Sequence, residues 1–301
     1  MEVVFDPGRP LSLPLTLGPL CRGRGDPTVR LGVDEAWRAT RTPEGPATLQ
    51  IRWASPTRIL ARAWGAGQAW ALTTLPSLLG ADDDDAGFVP HHPVIARLRH
   101  RHPGLRIGRS RAVMECLVPT IIEQKVTGRE AWRSYAALVR TLGEPAPGPA
   151  GEAGLMLPPA PAALASAPSW AYHRLGLERR RAETIRRAAT VSARLEETVG
   201  MTPSAARARL SCLPGIGPWT AAEVAMVALG DADAVSVGDY HLPHQVSWAL
   251  TGEPRGDDAR MLELLEPYRG HRGRVIRLIN AGGVRPPRRG PRSPVRSIRS
   301  L

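Results

Sequence analysis

The chain has 301 residues, 43% of them apolar and 23% charged: enough for one large domain or two ordinary ones with a sizeable core, and too apolar for a disordered protein. Its 40 basic and 28 acidic residues give a formal charge of +12, which points to a polyanionic partner, nucleic acid before an anionic membrane. No apolar run approaches the roughly 18 residues that a membrane-spanning helix needs. The three cysteines, Cys21, Cys116 and Cys212, lie too far apart for a clustered zinc or iron–sulfur site and read as those of a reduced, cytoplasmic protein.

The opening MEVVFDPGRP is acidic and turn-rich, unlike a signal peptide. Residues 1–80 carry strand-like stretches, clearest at Thr48 to Trp53, and turns such as Gly25-Asp26-Pro27 and Pro43-Glu44-Gly45-Pro46. A helix is expected near Ile59 to Trp70. Asp82 to Asp85 then form an acidic run that reads as a solvated linker, spanning 81–92. His91, His92, His100 and His102 have no carboxylate or cysteine at ligand spacing, so they read as surface residues, and no metal is expected.

From Pro93 to residue 284 the pattern is helical. Thr127-Gly128-Arg129-Glu130 fits a capping box, and the helix it opens aligns Trp132, Tyr135, Leu138, Val139 and Leu142 on one face. Residues 143–161 are rich in Pro and Gly and read as a loop. One long helix is expected from Leu177 to Val199, with Ile185, Ala189, Leu195 and Val199 inward and Gly200 as its stop. Thr202-Pro203 starts the next. Residues 285–301 hold six arginines, four prolines and no acid, and read as a disordered basic tail.

The most informative segment is Leu213-Pro-Gly-Ile-Gly-Pro-Trp-Thr-Ala221. One helix ends near Cys212, and Pro218 opens another that runs to Leu229. Gly215 and Gly217 allow a tight hairpin between them and leave backbone N–H groups uncovered beside a helix N-terminus, a favourable place for a phosphate oxygen. The bland alternative is a simple helical corner. Twenty-two residues after Gly217 comes Asp239, inside Ser236-Val-Gly-Asp-Tyr-His-Leu-Pro243 and just before a short helix. It either caps that helix only, or caps it and also presents a carboxylate to a cleft.

The hairpin and the downstream Gly238-Asp239 resemble the helix-hairpin-helix/Gly-Pro-Asp superfamily of DNA glycosylases, and within it bacterial 3-methyladenine DNA glycosylase II. Ile121 to Thr127, Leu175 to Ala182, Pro267-Tyr268-Arg269 and Leu17 to Leu20 add weaker support. The resemblance implies an α+β fold: a mostly α-helical glycosylase core behind a small mixed α/β N-terminal domain. It implies a monomeric base-excision repair enzyme on double-stranded DNA that flips a damaged base, such as an alkylated purine, and hydrolyses its N-glycosidic bond. It assigns catalysis to Asp239 and the base pocket to Trp219, with Tyr240 and Glu223 nearby. Phosphate contacts fall to Gly215, Gly217 and Thr220, and the duplex wedge to Gln124 and Lys125.

Trp219 is otherwise a core residue, and Lys125 a phosphate contact or an exposed turn. Glu223, one turn beyond Trp219, reads a base edge, pairs with Arg277 or faces solvent. Arg277 and Pro19 stand where that enzyme has aromatics. Trp219 occupies the lysine position of the lyase-competent relatives, and Lys125 is the only lysine in the chain. A glycosylase/lyase would therefore have to work through Lys125 or the N-terminal amine. The resemblance implies no cofactor and no iron–sulfur cluster, and allows a monovalent cation at the hairpin. The other alternative is a catalytically silent helix-hairpin-helix DNA-binding protein.

Overall fold

The structure, a computed structural model, describes residues 1–55 and 57–287. The first part folds into a five-stranded antiparallel sheet of β1 (Glu2–Phe5), β2 (Val29–Leu31), β3 (Glu35–Thr42), β4 (Gly45–Ser55) and β5 (Arg58–Trp64), in the order β1-β5-β4-β3-β2. Short helices at Leu13–Leu17, Gln68–Thr73 and Leu75–Leu78 close one face, so Leu13, Leu17, Leu72 and Leu75 share a core with Leu49, Ile51 and Ile59. The fold is α+β, as expected.

The helix expected over Ile59 to Trp70 is instead β5 followed by the helix Gln68–Thr73. The strand alternates: Ile59, Ala61 and Ala63 are fully buried while Arg58 and Arg62 face outward. Small alanines on the inner face hid a period of two. Pairing with β4 on one side and β1 on the other settles the conformation.

The helical part has two cores. The larger is built on Val113–Glu123, which is apolar all round and buried along nearly its whole length. Around it pack Gly128–Leu142, Arg179–Thr190 and the second hairpin helix, Pro218–Val224. Its N-terminus is capped at a distance by Glu196, which accepts from the N–H groups of Val113 and Met114 at 2.9 and 2.8 Å. Glu115 in its first turn accepts from Arg38, from Thr40 and from the Arg41 N–H, tying the helix to β3. The smaller core joins Phe88, Ile95, Leu98 and Leu105 to Val246, Met261, Leu265, Val275 and Ile279. Residues 231–241 lead from the larger core into Leu242–Thr251 of the smaller one.

The capping box at Thr127 and Glu130 is present, but Trp132 on that helix is 42% exposed and rests over Gly23 rather than in the core. The long helix expected over Leu177 to Val199 breaks at Val191, into Arg179–Thr190 and Ser192–Glu196 with a last 3-10 turn. Residues 143–161 contain a two-stranded ribbon, Glu144–Pro145 with Met156–Leu157, held to the N-terminal part by the Met156 N–H on the Pro27 carbonyl. The acidic run is solvated only in part: Asp82 and Asp84 are exposed, but Asp83 is not. The Asp83 side chain is 2% exposed and takes a bidentate contact from Arg274, at 2.9 and 2.5 Å. The basic tail lies outside the described residues beyond 287.

Candidate active site

The first hairpin helix, Pro203–Ser211, is N-capped by Thr202, and its partner Pro218–Val224 runs on into a π-helical turn, Ala225–Leu229. A π turn inside a helix is common at functional sites, where it shifts the register of side chains. Between the two helices Ile216 is buried and its N–H closes the turn on the Leu213 carbonyl. The two glycines differ. Gly215 has φ +98°, and a Cβ there would meet Thr184 Oγ1 at 2.4 Å. Gly217 has φ −96° and ψ −178°, ordinary extended backbone with nothing near a Cβ. Among the described residues neither glycine's N–H has a protein acceptor. Gly215 is therefore required by the turn itself, whereas Gly217 leaves an open face.

Asp239 follows Gly238, whose φ of +89° makes the bend that turns the chain into the helix Leu242–Thr251. Its Oδ1 accepts from the N–H groups of His241 and Leu242 at 2.7 and 2.8 Å. Its Oδ2 accepts from the Trp219 indole N–H at 3.0 Å. Both roles left open for this residue are thus combined: it caps a helix and faces the hairpin. Three donors fix the carboxylate while its residue stays partly exposed. Trp219 is also partly exposed, so it is not a core residue, and the bond holds its ring beside Asp239.

One turn beyond Trp219, Glu223 accepts a hydrogen bond from the Ser236 hydroxyl. Burial raises its pKa above the usual carboxylate range; the Ser236 bond and the Arg22 charge oppose that, and the Glu123 and Asp239 charges add to it. Arg22 pairs with Glu123 at 3.2 Å. Arg277 donates to the Leu15 carbonyl, and burial lowers its pKa to about 10, with Glu223 acting against the shift. Glu223 is thus half-buried rather than fully exposed, and it forms no ion pair with Arg277. Pro19 and Arg277 do come together, around a cavity of about 20 Å³ next to Met226.

Three expected site residues are placed differently. Tyr240 is 82% exposed with its ring against His241, so it does not wall a pocket. Thr220 is 2% exposed, and its hydroxyl accepts from Gln124 Nε2 at 2.9 Å, so its side chain is not free for a phosphate. Gln124 also donates to the Gly215 carbonyl at 3.0 Å. It is a strap that fixes the 124–127 loop to the hairpin rather than a free wedge. Its neighbour Lys125 is exposed at φ +56°, in a region that costs a side-chain-bearing residue about 1–3 kcal/mol. A cavity of about 750 Å³ lies elsewhere, between the β3–β4 turn and the far side of Val113–Glu123, and shares no lining residue with this site.

Sequence reasoning missed Ser236, Arg22 and Glu123. Ser236 had a signal, since it opens the same segment as Asp239. Arg22 and Glu123 are 101 positions apart, and no local pattern links them.

The same architecture occurs in solved structures. A 3-methyladenine DNA-glycosylase from Archaeoglobus fulgidus matches with a TM-score of 0.76 at 20% identity, over 92% of this chain and 97% of that one. MBOgg1 in complex with a low affinity DNA ligand matches at 0.70 and 16% identity, over 92% and 93%. An 8-oxoguanine glycosylase/lyase from Clostridium acetobutylicum in its apo form matches at 0.61 and 11%, over 84% and 98%. No family model matches the chain. No curated protein matches it either. At these identities the likeness is one of fold: the chain has the fold of the helix-hairpin-helix DNA glycosylases.

Proposed function

We propose that this chain is a monofunctional DNA glycosylase of base-excision repair that releases a damaged base, an alkylated purine above all, and leaves an abasic site. The observation that carries the reading is the Asp239 carboxylate, fixed by three N–H donors beside the Trp219 ring and the uncovered glycines of the hairpin. A base inside a duplex is out of reach, so the nucleotide must be flipped. Breaking its glycosidic bond puts positive charge on the sugar, and a carboxylate held in place stabilises that charge and orients water. An alkylated purine already carries positive charge and leaves with little help from an acid.

The remaining parts fit that role. The hairpin amides of Gly215 and Gly217 take one phosphate. The carbonyls of Leu213 and Gly215 are each engaged once, by the Ile216 N–H and by Gln124, so a monovalent cation there would use only their second lone pairs, and no step depends on one. Lys125, held at the tip of a loop that Gln124 straps to the hairpin, enters the gap left by the flipped base or meets a phosphate. Trp219 stacks on the base, worth about 1–3 kcal/mol. The indole bonded to Asp239, where a lyase needs an amine, supports water as the nucleophile.

The test is single-turnover release of bases from alkylated, deaminated and oxidised duplexes, identified by mass spectrometry. The product strand stays intact until alkali is added. Strand cleavage by the pure enzyme, trapped by borohydride and lost in Lys125→Ala, would overturn the monofunctional assignment. No released base from any of the three DNAs would leave the silent DNA-binding reading in its place.

A further inference from the structure

Resting on the glycosylase reading, we propose that Glu223 is the residue that selects the substrate: its carboxylate contacts the flipped base and favours a purine carrying a fixed positive charge on its rings. What Glu223 lacks is a cation. The chain has 40 basic residues, yet among the described residues none lies within ion-pair distance of this carboxylate. Its protein partner is a neutral hydroxyl, Ser236, on Oε1. The two guanidiniums nearby are committed elsewhere, Arg22 to Glu123 at 3.2 Å and Arg277 to the Leu15 carbonyl.

A carboxylate taken out of water without a cation is costly, and folds remove such groups unless something pairs with them. Here the surroundings add to the cost. The charged groups whose fields reach Glu223 are Arg22, Glu123, Asp239 and Arg277, three acids and two arginines once Glu223 itself is counted. Within a protein of net charge +12 this is a local excess of negative charge. Glu223, Asp239, Glu123, Arg22 and Arg277 are each half-buried, so none of them is sealed in the core.

Position turns the missing cation into a ligand. Glu223 lies four residues after Trp219 on one helix, hence on the same face. The indole is fixed beside Asp239, so a base stacked on it has the sugar end at Asp239 and the ring edge toward Glu223. A positively charged purine supplies the absent counter-charge and an N–H donor to the free Oε2. A neutral base supplies only the donor. Stacking alone favours any flat base, so charge pairing is what separates the two classes.

The experiment compares wild type with Glu223→Gln, which keeps the shape and an acceptor for Ser236. Readouts are single-turnover release of 7-methylguanine, which is cationic, and of hypoxanthine, which is neutral, with affinity for abasic-site DNA and thermal stability as controls. Release of 7-methylguanine is expected to fall roughly 10–100-fold, the scale of losing a hydrogen bond to a charged group. Abasic-site affinity and melting temperature are expected to hold, and any hypoxanthine release to fall by a smaller factor, because a neutral base loses only the acceptor at this position. An unchanged 7-methylguanine rate overturns the proposal, as does an equal loss on both bases. A parallel loss of abasic-site affinity or of stability also overturns it, because the role is then structural. If wild type releases no base at all, the glycosylase reading has failed instead, and the two failures are told apart by the wild-type arm alone.

Discussion

Two groups of charges in this protein use the same residue types and reach opposite states. At the junction around Asp83 every charge is answered. Asp83 is gripped by Arg274, approached by Arg9 at 3.8 Å and bound by the Ile107 N–H at 2.9 Å. Arg106, 1% exposed, donates to the backbone carbonyls of Pro7, Arg9 and Pro10. Around Asp239 and Glu223 the carboxylates have fixed positions but an open side: neither has a cationic partner, and both residues stay partly exposed. A charge with all its bonds made inside the protein holds a fold together. A charge fixed in place with one side free can act on something that arrives.

The first way to break this contrast is at the junction, where the largest effect is expected. Asp83→Ala leaves Arg274 buried at 3% exposure without its partner. Removing one member of a buried pair costs about 3–5 kcal/mol. Urea unfolding should show that loss, and a shift below about 1 kcal/mol, the range of an exposed pair, would place Asp83 among ordinary surface acids.

The second acts on the open side. Asp239→Asn keeps an acceptor for the His241 and Leu242 amides, so the helix cap survives. It turns an amide NH₂ toward the Trp219 N–H and removes the charge. Base release should fall roughly 10²–10³-fold while stability and abasic-site binding change little. Retention of more than about a tenth of the wild-type single-turnover rate would remove Asp239 from catalysis, given that scale.

A third change acts on the partner that holds this carboxylate. Trp219→Phe keeps an aromatic face and deletes only the bond to Asp239. Release should drop about tenfold, in line with one hydrogen bond to a charged group, and lesion binding should hold. Trp219→Ala should instead lose preference for damaged over intact DNA. If Phe and Ala behave alike, the indole N–H has no positioning role.

The contrast also explains what was legible in the sequence. The hairpin, the spacing to Asp239 and the capping box are local patterns, and each needs only a few neighbouring residues to be specified; the expected stop at Gly200 falls instead inside a 3-10 turn, after a break at Val191. The strand Arg58–Trp64 was hidden because its inner face is Ile-x-Ala-x-Ala, too small to stand out as alternating. Asp83 looked solvated because four consecutive acids usually are; its burial depends on Arg274, 191 positions away. Glu223 and Gln124 sat in the right segments, but their partners Ser236 and Gly215 come from other elements. Long-range polar pairing is decided by packing, and periodicity carries no record of it.

The smallest expected effect is the most discriminating, because it separates a turn from a binding surface within three residues. Valine at Gly215 must adopt φ near +98° with its Cβ at 2.4 Å from Thr184 Oγ1, so Gly215→Val should lose stability, about 1–3 kcal/mol for the backbone alone. Valine at Gly217 meets nothing and keeps an extended backbone; losing a favoured N-cap glycine should cost about 1 kcal/mol or less, with no clash or φ strain added. What it does instead is cover the face where a phosphate would sit. Phosphate contacts position a protein without reading bases, so affinity for lesion and undamaged DNA should weaken by the same factor. The dependence of log K on log salt should become shallower by about 0.9 for each phosphate that the protein no longer neutralises. Binding of folded Gly217→Val at several salt concentrations measures both. Unchanged affinity for undamaged DNA would mean that the hairpin is only a corner, and that the phosphate lies against another surface of the protein.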